Sequence, residues 1–101
     1  MLYKLENRQL TIYLEGELNS FNSDEVEKEI EAIIAQKGFD SIVLDVEKVR
    51  YISSAGLRIV SRLKQQYDAL SIVNMSDDVY DVFEMVGFVD EIEIKKLKKN
   101  S

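Results

Sequence analysis

The sequence predicts an α/β fold, a single domain with a mixed sheet of four to five strands and three to four flanking helices. The chain has 101 residues, which is close to the commonest size of one domain. Short apolar runs rich in β-branched residues alternate with stretches whose apolar residues recur at helical spacing. This alternation is typical of parallel strands joined by helices, and a strand-like pair at the start of the chain adds an antiparallel part.

The first two segments predict a hairpin. Residues 10–18 alternate at their start between apolar and polar side chains, which indicates a strand with one buried face. Residues 1–7 predict a short partner strand, and the polar link at residues 6–9 has the length of a hairpin turn. The two strands should therefore pair antiparallel.

A first helix is predicted after the hairpin. Asn22 or Ser23 can cap it, and Asp24 and Glu25 place negative charge at its N-terminus, where the helix dipole favours it. Gly38 suits the C′ position, so the helix is expected to end there.

Three further strands are predicted along the rest of the chain. Residues 41–46 are a continuous apolar run, which predicts a strand covered on both faces in the middle of the sheet. Residues 69–75 predict another core strand. Residues 89–97 alternate, which indicates either a last edge strand or a frayed end.

Two helices separate these strands. Residues 55–67 carry apolar side chains at helical spacing, which predicts the second helix. Ser76 can cap a third helix with Asp77 and Asp78 in its first turn, and Gly87 is expected to stop it.

Composition excludes several classes of function. The net charge of −6 argues against nucleic-acid binding, because the nucleic-acid backbone repels an acidic chain. The absence of cysteine and histidine excludes disulfides, thiol chemistry and the usual Ser–His pair of a hydrolase, and it argues against a typical zinc site. The acidic residues show no calcium-loop spacing. The sequence therefore predicts no catalytic residue, no metal and no cofactor.

Hydropathy predicts no membrane span. No apolar run approaches the ~20 residues that a spanning helix needs. The first ten residues also lack the long apolar core of a signal peptide. The expected location is the cytoplasm.

Two adjacent serines, Ser53 and Ser54, lie between a predicted strand and a predicted helix. In open α/β sheets, ligand-binding sites lie at such carboxyl ends of strands. One of them can be an ordinary N-cap, worth on the order of 1 kcal/mol. A nucleophile is the weaker interpretation, since the segment is neither a G-x-S-x-G elbow nor a phosphate-binding loop. A third interpretation is phosphorylation, because a helix N-terminus stabilises a phosphate and the surface would change by roughly two charges.

Residues 41–65, SIVLDVEKVRYISSAGLRIVSRLKQ, resemble the core of STAS domains, above all the bacterial anti-sigma factor antagonists. The family pattern runs from a strand-end acid or amide, through an apolar-aromatic pair, to Asp/Ser-Ser-x-Gly-Leu and a helix. Residues 14–19 and 74–88 resemble the family's first core strand and its late strand and helix. The matching positions of the central motif are, in order, Asp45, Val49, Tyr51, Ile52, Ser54, Gly56, Leu57 and Arg58.

The resemblance implies a STAS-like fold and a binding protein without enzyme activity. The unphosphorylated form of such a protein captures an anti-sigma factor that is also a serine kinase, and so frees a sigma factor. Phosphorylation of the acceptor, here Ser54, ends the capture, and a phosphatase acts on phosphorylated Ser54. The implied partner-binding residues are Asn19, Ser20, Tyr51, Ser53, Ser54, Arg58, Ser61 and Arg62, and the supporting residues are Asp45, Gly56 and Leu57.

Some alternatives stay open at this point. Leu57 is either an apolar anchor for the partner or a core residue. Asn19 and Ser53 stand where many family members have aspartate, which removes two acidic groups from the expected partner surface. The same fold could instead serve as a structural subunit, for example of a lipid-transport ABC complex, or as a regulatory segment of an anion transporter.

Overall fold

The computed structural model describes residues 1–98, whose five strands form one sheet in the order in which they occur along the chain. A short 3-10 helix at Phe88–Asp90 precedes the last strand. The predicted α/β fold with a mixed sheet is confirmed. The elements are β1 (Leu2–Glu6), β2 (Gln9–Leu18), α1 (Ser23–Ile34), β3 (Ser41–Ile52), α2 (Ser54–Gln66), β4 (Leu70–Met75), α3 (Asp77–Met85) and β5 (Glu93–Lys96).

The sheet begins with the predicted hairpin. β1 and β2 pair antiparallel, and the two residues between them, Asn7 and Arg8, both have positive φ, at 53° and 64°. A two-residue turn with positive φ at both positions matches the twist of the paired strands. Every other pairing, β2 with β3, β3 with β4 and β4 with β5, is parallel.

The core lies on one face of the sheet. Alternate residues of the central strands are buried, and they join the buried residues of all three helices in one apolar cluster. The other set of alternate residues is only half-buried, as in β3 at Ser41, Val43 and Asp45. The prediction of a strand covered on both faces at residues 41–46 is therefore wrong. The apolar run misleads because Val43 is β-branched and half-buried on the open face.

Two predicted boundaries also differ from the structure. α1 ends at Ile34 with Ala35 as its C-cap, so Gly38 does not occupy the C′ position. Instead Lys37 and Gly38 both take the left-handed conformation, with φ of 61° and 89°, in the connection to β3. β3 continues to Ile52, beyond the end of the predicted strand.

The C-terminal part follows the prediction more closely. Ser76 caps α3 through its side chain, which accepts a hydrogen bond from the Val79 backbone N–H. Gly87, with φ of 80°, follows the Val86 C-cap and ends the helix as predicted. The edge strand is shorter than predicted, because Phe88–Asp90 forms the 3-10 helix.

Candidate functional site

The candidate site is built around the N-terminus of α2. Ser53 is the N-cap, with the extended backbone expected there, and Ser54 is the first helical residue. Ser54 is exposed, whereas the sequence predicted a helix starting one residue later. The first backbone bond of the helix runs from the Leu57 N–H to the Ser53 carbonyl. The backbone N–H groups before Leu57 in this first turn therefore have no acceptor within the helix.

The Ser53 side chain does not act as the cap. Its Oγ is buried and makes no hydrogen bond within residues 1–98. The Ser53 backbone N–H, in contrast, donates to the Leu18 carbonyl over 2.8 Å and so ties the start of α2 to the end of β2. Of the two adjacent serines, Ser54 is the exposed one.

Close packing at Gly56 fixes the position of the first turn of α2. A Cβ at this glycine would lie 2.7 Å from Ile52 Cγ1 and 2.9 Å from Leu18 Cβ, closer than real Cβ contacts. Leu57, the next residue, is 8% exposed and belongs to the apolar cluster, so it is a core residue. These two residues hold α2 against the ends of β2 and β3 and so fix where Ser54 lies.

A short turn between β2 and α1, at residues 19–22, lies next to this junction. Asn19 Oδ1 accepts hydrogen bonds from the backbone N–H groups of Phe21 (2.9 Å) and Asn22 (3.1 Å). Asn22 Oδ1 in turn accepts one from the Asn19 N–H at 3.0 Å, and Asn22 Nδ2 donates to the Glu17 carbonyl. The two amide side chains thus hold the turn in one conformation, with Ser20 exposed at its surface.

The sheet register brings the turn and the junction together. Leu18 pairs with Ile52, so the residue after each strand, Asn19 or Ser53, leaves the sheet at the same edge. Tyr51, half exposed at 51%, precedes Ile52. The predicted site residues Asn19, Ser20, Tyr51, Ser53 and Ser54 thus converge on this edge of the sheet.

The outer face of α2 supplies the remaining predicted residues. Arg58 is exposed one helical turn after Ser54 along α2. Ser61 is half-buried, and Arg62 is exposed. Arg62 Nη1 pairs with Glu27 Oε1 of α1 at 2.7 Å, whereas Arg58 makes no ion pair within the described part of the chain. α2 contains three basic residues and no acidic one, but Arg62 and Lys64 are paired with Glu27 and Asp68, so Arg58 carries the unpaired positive charge of this helix among the described residues.

Asp45, predicted as a supporting residue, lies on the open face of the sheet, seven residues before the end of β3 at Ile52. Its Oδ1 accepts a hydrogen bond from the Glu47 N–H, and its Oδ2 accepts one from Asn74 Nδ2, both at 3.0 Å. Asn74, at the end of β4, has a φ of 60°, a conformation that asparagine tolerates better than most residues. The carboxylate therefore links β3 and β4 at the last residue pair of their ladder, Asp45 and Val73.

Within residues 1–98, no helix is long and apolar enough to cross a membrane, and no three His, Cys, Asp or Glu side chains are grouped to hold a metal ion. The family model of the STAS domain matches residues 2–100. The chain belongs to the STAS domain family.

Known relatives agree with this assignment. A Bordetella bronchiseptica protein named as an anti-sigma factor antagonist, BtrV, is 39% identical over 80 residues, which cover 75% of this chain and 68% of that protein. A Thermotoga maritima protein, also named as an anti-sigma factor antagonist, has a crystal structure that matches with a TM-score of 0.85 at 19% identity, covering 94% of this chain and 85% of the other. The STAS fold of the chain is therefore shared with proteins that carry this name.

A third relative has been solved in two states. The anti-sigma factor antagonist SpoIIAA of Bacillus matches in its unphosphorylated form with a TM-score of 0.71 at 23% identity, covering 92% of this chain and 87% of that one. Its phosphorylated form matches with a TM-score of 0.63 at 21% identity, covering 92% and 90%. Both forms of that protein share the STAS fold with this chain.

Two residues with unusual environments in this part of the molecule were not predicted from the sequence. Phe21 was not singled out, because an apolar residue in a polar turn gives no periodic signal. Asn74 was also missed, although asparagine at the end of a strand is a recognised signal for a left-handed residue.

Proposed function

We propose that the chain acts in the cytoplasm as an anti-sigma factor antagonist that is switched by phosphorylation of Ser54. The unphosphorylated form binds an anti-sigma factor that is also a serine kinase, and a sigma factor is released. Transfer of a phosphoryl group from ATP to Ser54 Oγ, with ADP as the other product, ends the binding, and a phosphatase restores it by hydrolysis.

The observation that carries the proposal is the position of Ser54. It is exposed, it is the first residue of α2, and the neighbouring Ser53 hydroxyl is buried. A kinase can therefore reach one of the two hydroxyls and not the other. The relatives named as anti-sigma factor antagonists support the antagonist role.

The switch follows from electrostatics at this position. A phosphate on Ser54 faces the free N–H groups and the positive end of the α2 dipole, so the fold itself tolerates the new charge. In a complex, however, the same phosphate places about two negative charges at an interface formed around a neutral hydroxyl. Burying an unpaired charge in an interface typically costs 2–5 kcal/mol, which corresponds to roughly 30- to 5,000-fold in affinity.

The acceptor is tested with the serine-kinase anti-sigma factor of the source organism and ATP. Mass spectrometry is expected to find one phosphate on wild type and on Ser53→Ala, located at Ser54, and none on Ser54→Ala. Phosphate on Ser53 would contradict the assignment.

Binding is tested by calorimetry with the same kinase. Wild type and Ser54→Ala should bind tightly, and Ser54→Asp should bind weakly or not at all. Ser71→Asp, which adds the same charge on the open face of the sheet, is the control and should bind like wild type. Equal binding by wild type and Ser54→Asp would overturn the switch.

A further inference from the structure

Phe21 is exposed to an unusual degree. Its side chain is 97% exposed, the largest value for any large hydrophobic residue of residues 1–98, and the next is Met85 at 84%. Full exposure of a phenylalanine is unfavourable in water, because burial of an apolar side chain of this size is stabilising. Phe21 is not part of the apolar core, so the stability of the fold does not explain why a phenylalanine stands at this position.

The backbone that carries Phe21 is held in place. The Phe21 N–H donates to Asn19 Oδ1 at 2.9 Å, and the Asn19 and Asn22 side chains close the turn on both sides. A binding group on a preorganised turn loses less conformational entropy when it is bound than the same group on a flexible loop. The turn therefore presents the aromatic ring in the manner of a binding element.

The position of the turn connects Phe21 to Ser54. The Ser53 N–H donates to the Leu18 carbonyl, and Gly56 packs against Leu18 Cβ, so the strand that leads into the turn touches the first residues of α2. Tyr51, an aromatic residue that is half exposed, lies on the neighbouring strand β3 at the same end of the sheet. The turn and Ser54 thus belong to one continuous surface.

We propose that Phe21 is the apolar anchor of this surface and fills an apolar pocket on the anti-sigma factor, an inference that rests on the proposed function. Aromatic side chains dominate binding energy when a partner buries them fully. Arg58, exposed on α2 and without an ion pair among the described residues, indicates a carboxylate beside that pocket. The occupant of this surface is therefore a protein with an apolar pocket and a carboxylate next to it.

The anchor also strengthens the switch. A buried aromatic residue excludes water from its surroundings in an interface. A charge introduced into a dry interface loses its hydration without replacement, so it costs more than at a wet rim. Phe21 thereby makes the interface sensitive to phosphate on Ser54.

The test is calorimetry of the full chain against the serine-kinase anti-sigma factor of the source organism. Phe21→Ala should weaken binding by about 10- to 100-fold, and Phe21→Leu, which keeps an apolar side chain, should recover most of the loss. Met85→Ala removes a comparably exposed apolar side chain from α3 and should bind within about twofold of wild type. Unfolding midpoints of the three variants should match wild type, because both side chains are exposed.

The outcomes separate the inference from the proposed function. If wild type binds, Ser54→Asp does not, and Phe21→Ala binds like wild type, the anchor is overturned while the switch stands. If Phe21→Ala and Met85→Ala weaken binding equally, the anchor is likewise overturned. If wild type itself does not bind the kinase, both the proposed function and the anchor fall.

Discussion

At the scale of single residues, the environments of Ser53 and Ser54 differ although the two are adjacent. The Ser54 side chain faces solvent at the start of α2, whereas Ser53 Oγ is enclosed without a hydrogen-bond partner in the described chain. A buried hydroxyl that makes no hydrogen bond has lost its water without compensation. The N-cap position of α2 is thus occupied by a residue typical of caps that does not cap with its side chain.

This difference predicts unequal effects of two serine substitutions. Ser53→Ala should change the free energy of unfolding by no more than about 0.5 kcal/mol or should raise it, because an unsatisfied polar atom is removed. Ser76→Ala, which deletes the hydroxyl that accepts from the Val79 N–H, should cost about 1 kcal/mol. Urea unfolding measures both. A larger loss for Ser53→Ala than for Ser76→Ala would contradict the arrangement at α2.

Gly56 gives a second prediction at this scale. Alanine is the better helix former by about 1 kcal/mol, yet Gly56→Ala would force its Cβ to within 3 Å of Ile52 and Leu18. Overpacking of this kind typically costs 1–3 kcal/mol, so the variant should be less stable than wild type. Ser54→Ala, an alanine substitution on the exposed side of the same turn, is the control in the same urea titration. A Gly56→Ala variant more stable than wild type would show that the turn can move away from the strands.

At the scale of elements, α2 packs one side against the sheet and leaves its first residue, Ser54, exposed. Its buried side, which includes Ile59, Val60 and Leu63, fixes the helix on the sheet, and its first residue remains free. Because this residue lies at the N-terminus of α2, the sign of a charge placed on it decides whether that charge stabilises the helix. A negative group at the N-terminus of a helix is favoured, and a positive one is not.

Charge substitutions at Ser54 should therefore be asymmetric. Ser54→Asp is expected to alter the free energy of unfolding by less than about 1 kcal/mol, while Ser54→Lys should be less stable than Ser54→Asp by about 0.5 kcal/mol. Thermal melts at low ionic strength provide the comparison, and added salt should reduce the difference. If the lysine variant proved the more stable, Ser54 would not lie at the positive end of α2.

The elements also show how far sequence reasoning reached. The order of elements, the hairpin and the start of α2 to within one residue follow from apolar periodicity, capping residues and the Ser-x-Gly-Leu pattern. The end of β3 was missed because the register with β2 shifts twice, near Tyr13 and near Gly16, and strict alternation is lost. The end of α1 was missed because Gly38 serves a left-handed turn within the connection and not the cap.

The geometry of the site was less predictable than its position. The Ser53 hydroxyl and the Leu57 side chain depend on packing between β2, β3 and α2, which no local pattern encodes. The same holds for the exposure of Phe21, since burial depends on whether any other element covers the turn. The open face of the sheet was missed because a half-buried strand with an apolar residue such as Val43 resembles a fully buried one.

At the scale of the whole molecule, one ion pair links the hairpin to the connection before β3. Arg8 binds Asp40 through two hydrogen bonds, from Nε at 2.6 Å and from Nη2 at 2.7 Å, and the Asp40 N–H donates to the Arg8 carbonyl. The Arg8 guanidinium lowers the pKa of Asp40 below its usual 3.8. Both side chains are exposed, so this ion pair contributes only modestly to the stability of the fold.

The lowered pKa predicts the pH at which this ion pair is lost. A carboxyl group with a pKa lower in the folded than in the unfolded state stabilises the fold above its unfolded pKa, and the effect disappears as pH falls through the folded pKa. The unfolding midpoint of wild type should exceed that of Asp40→Asn at about pH 6, and the difference should shrink toward about pH 2. Glu91→Gln, which neutralises an exposed carboxylate on another part of the surface, is the control. A difference between wild type and Asp40→Asn that grows as pH falls would contradict the direction of the shift.

The sheet order has a consequence for the way the chain folds. Each strand pairs with the strand before it in the sequence, so no connection passes over a strand that lies between two partners. The parallel pairings still join strands that are separated by a helix, such as β2 and β3, and each of them closes a longer loop than the β1–β2 hairpin does. During synthesis, the strand with which each of β2 to β5 pairs has already been synthesised. The surface around Ser54 can therefore assemble once α2 has left the ribosome, before β5 exists, and no strand has to be inserted between two others that are already paired.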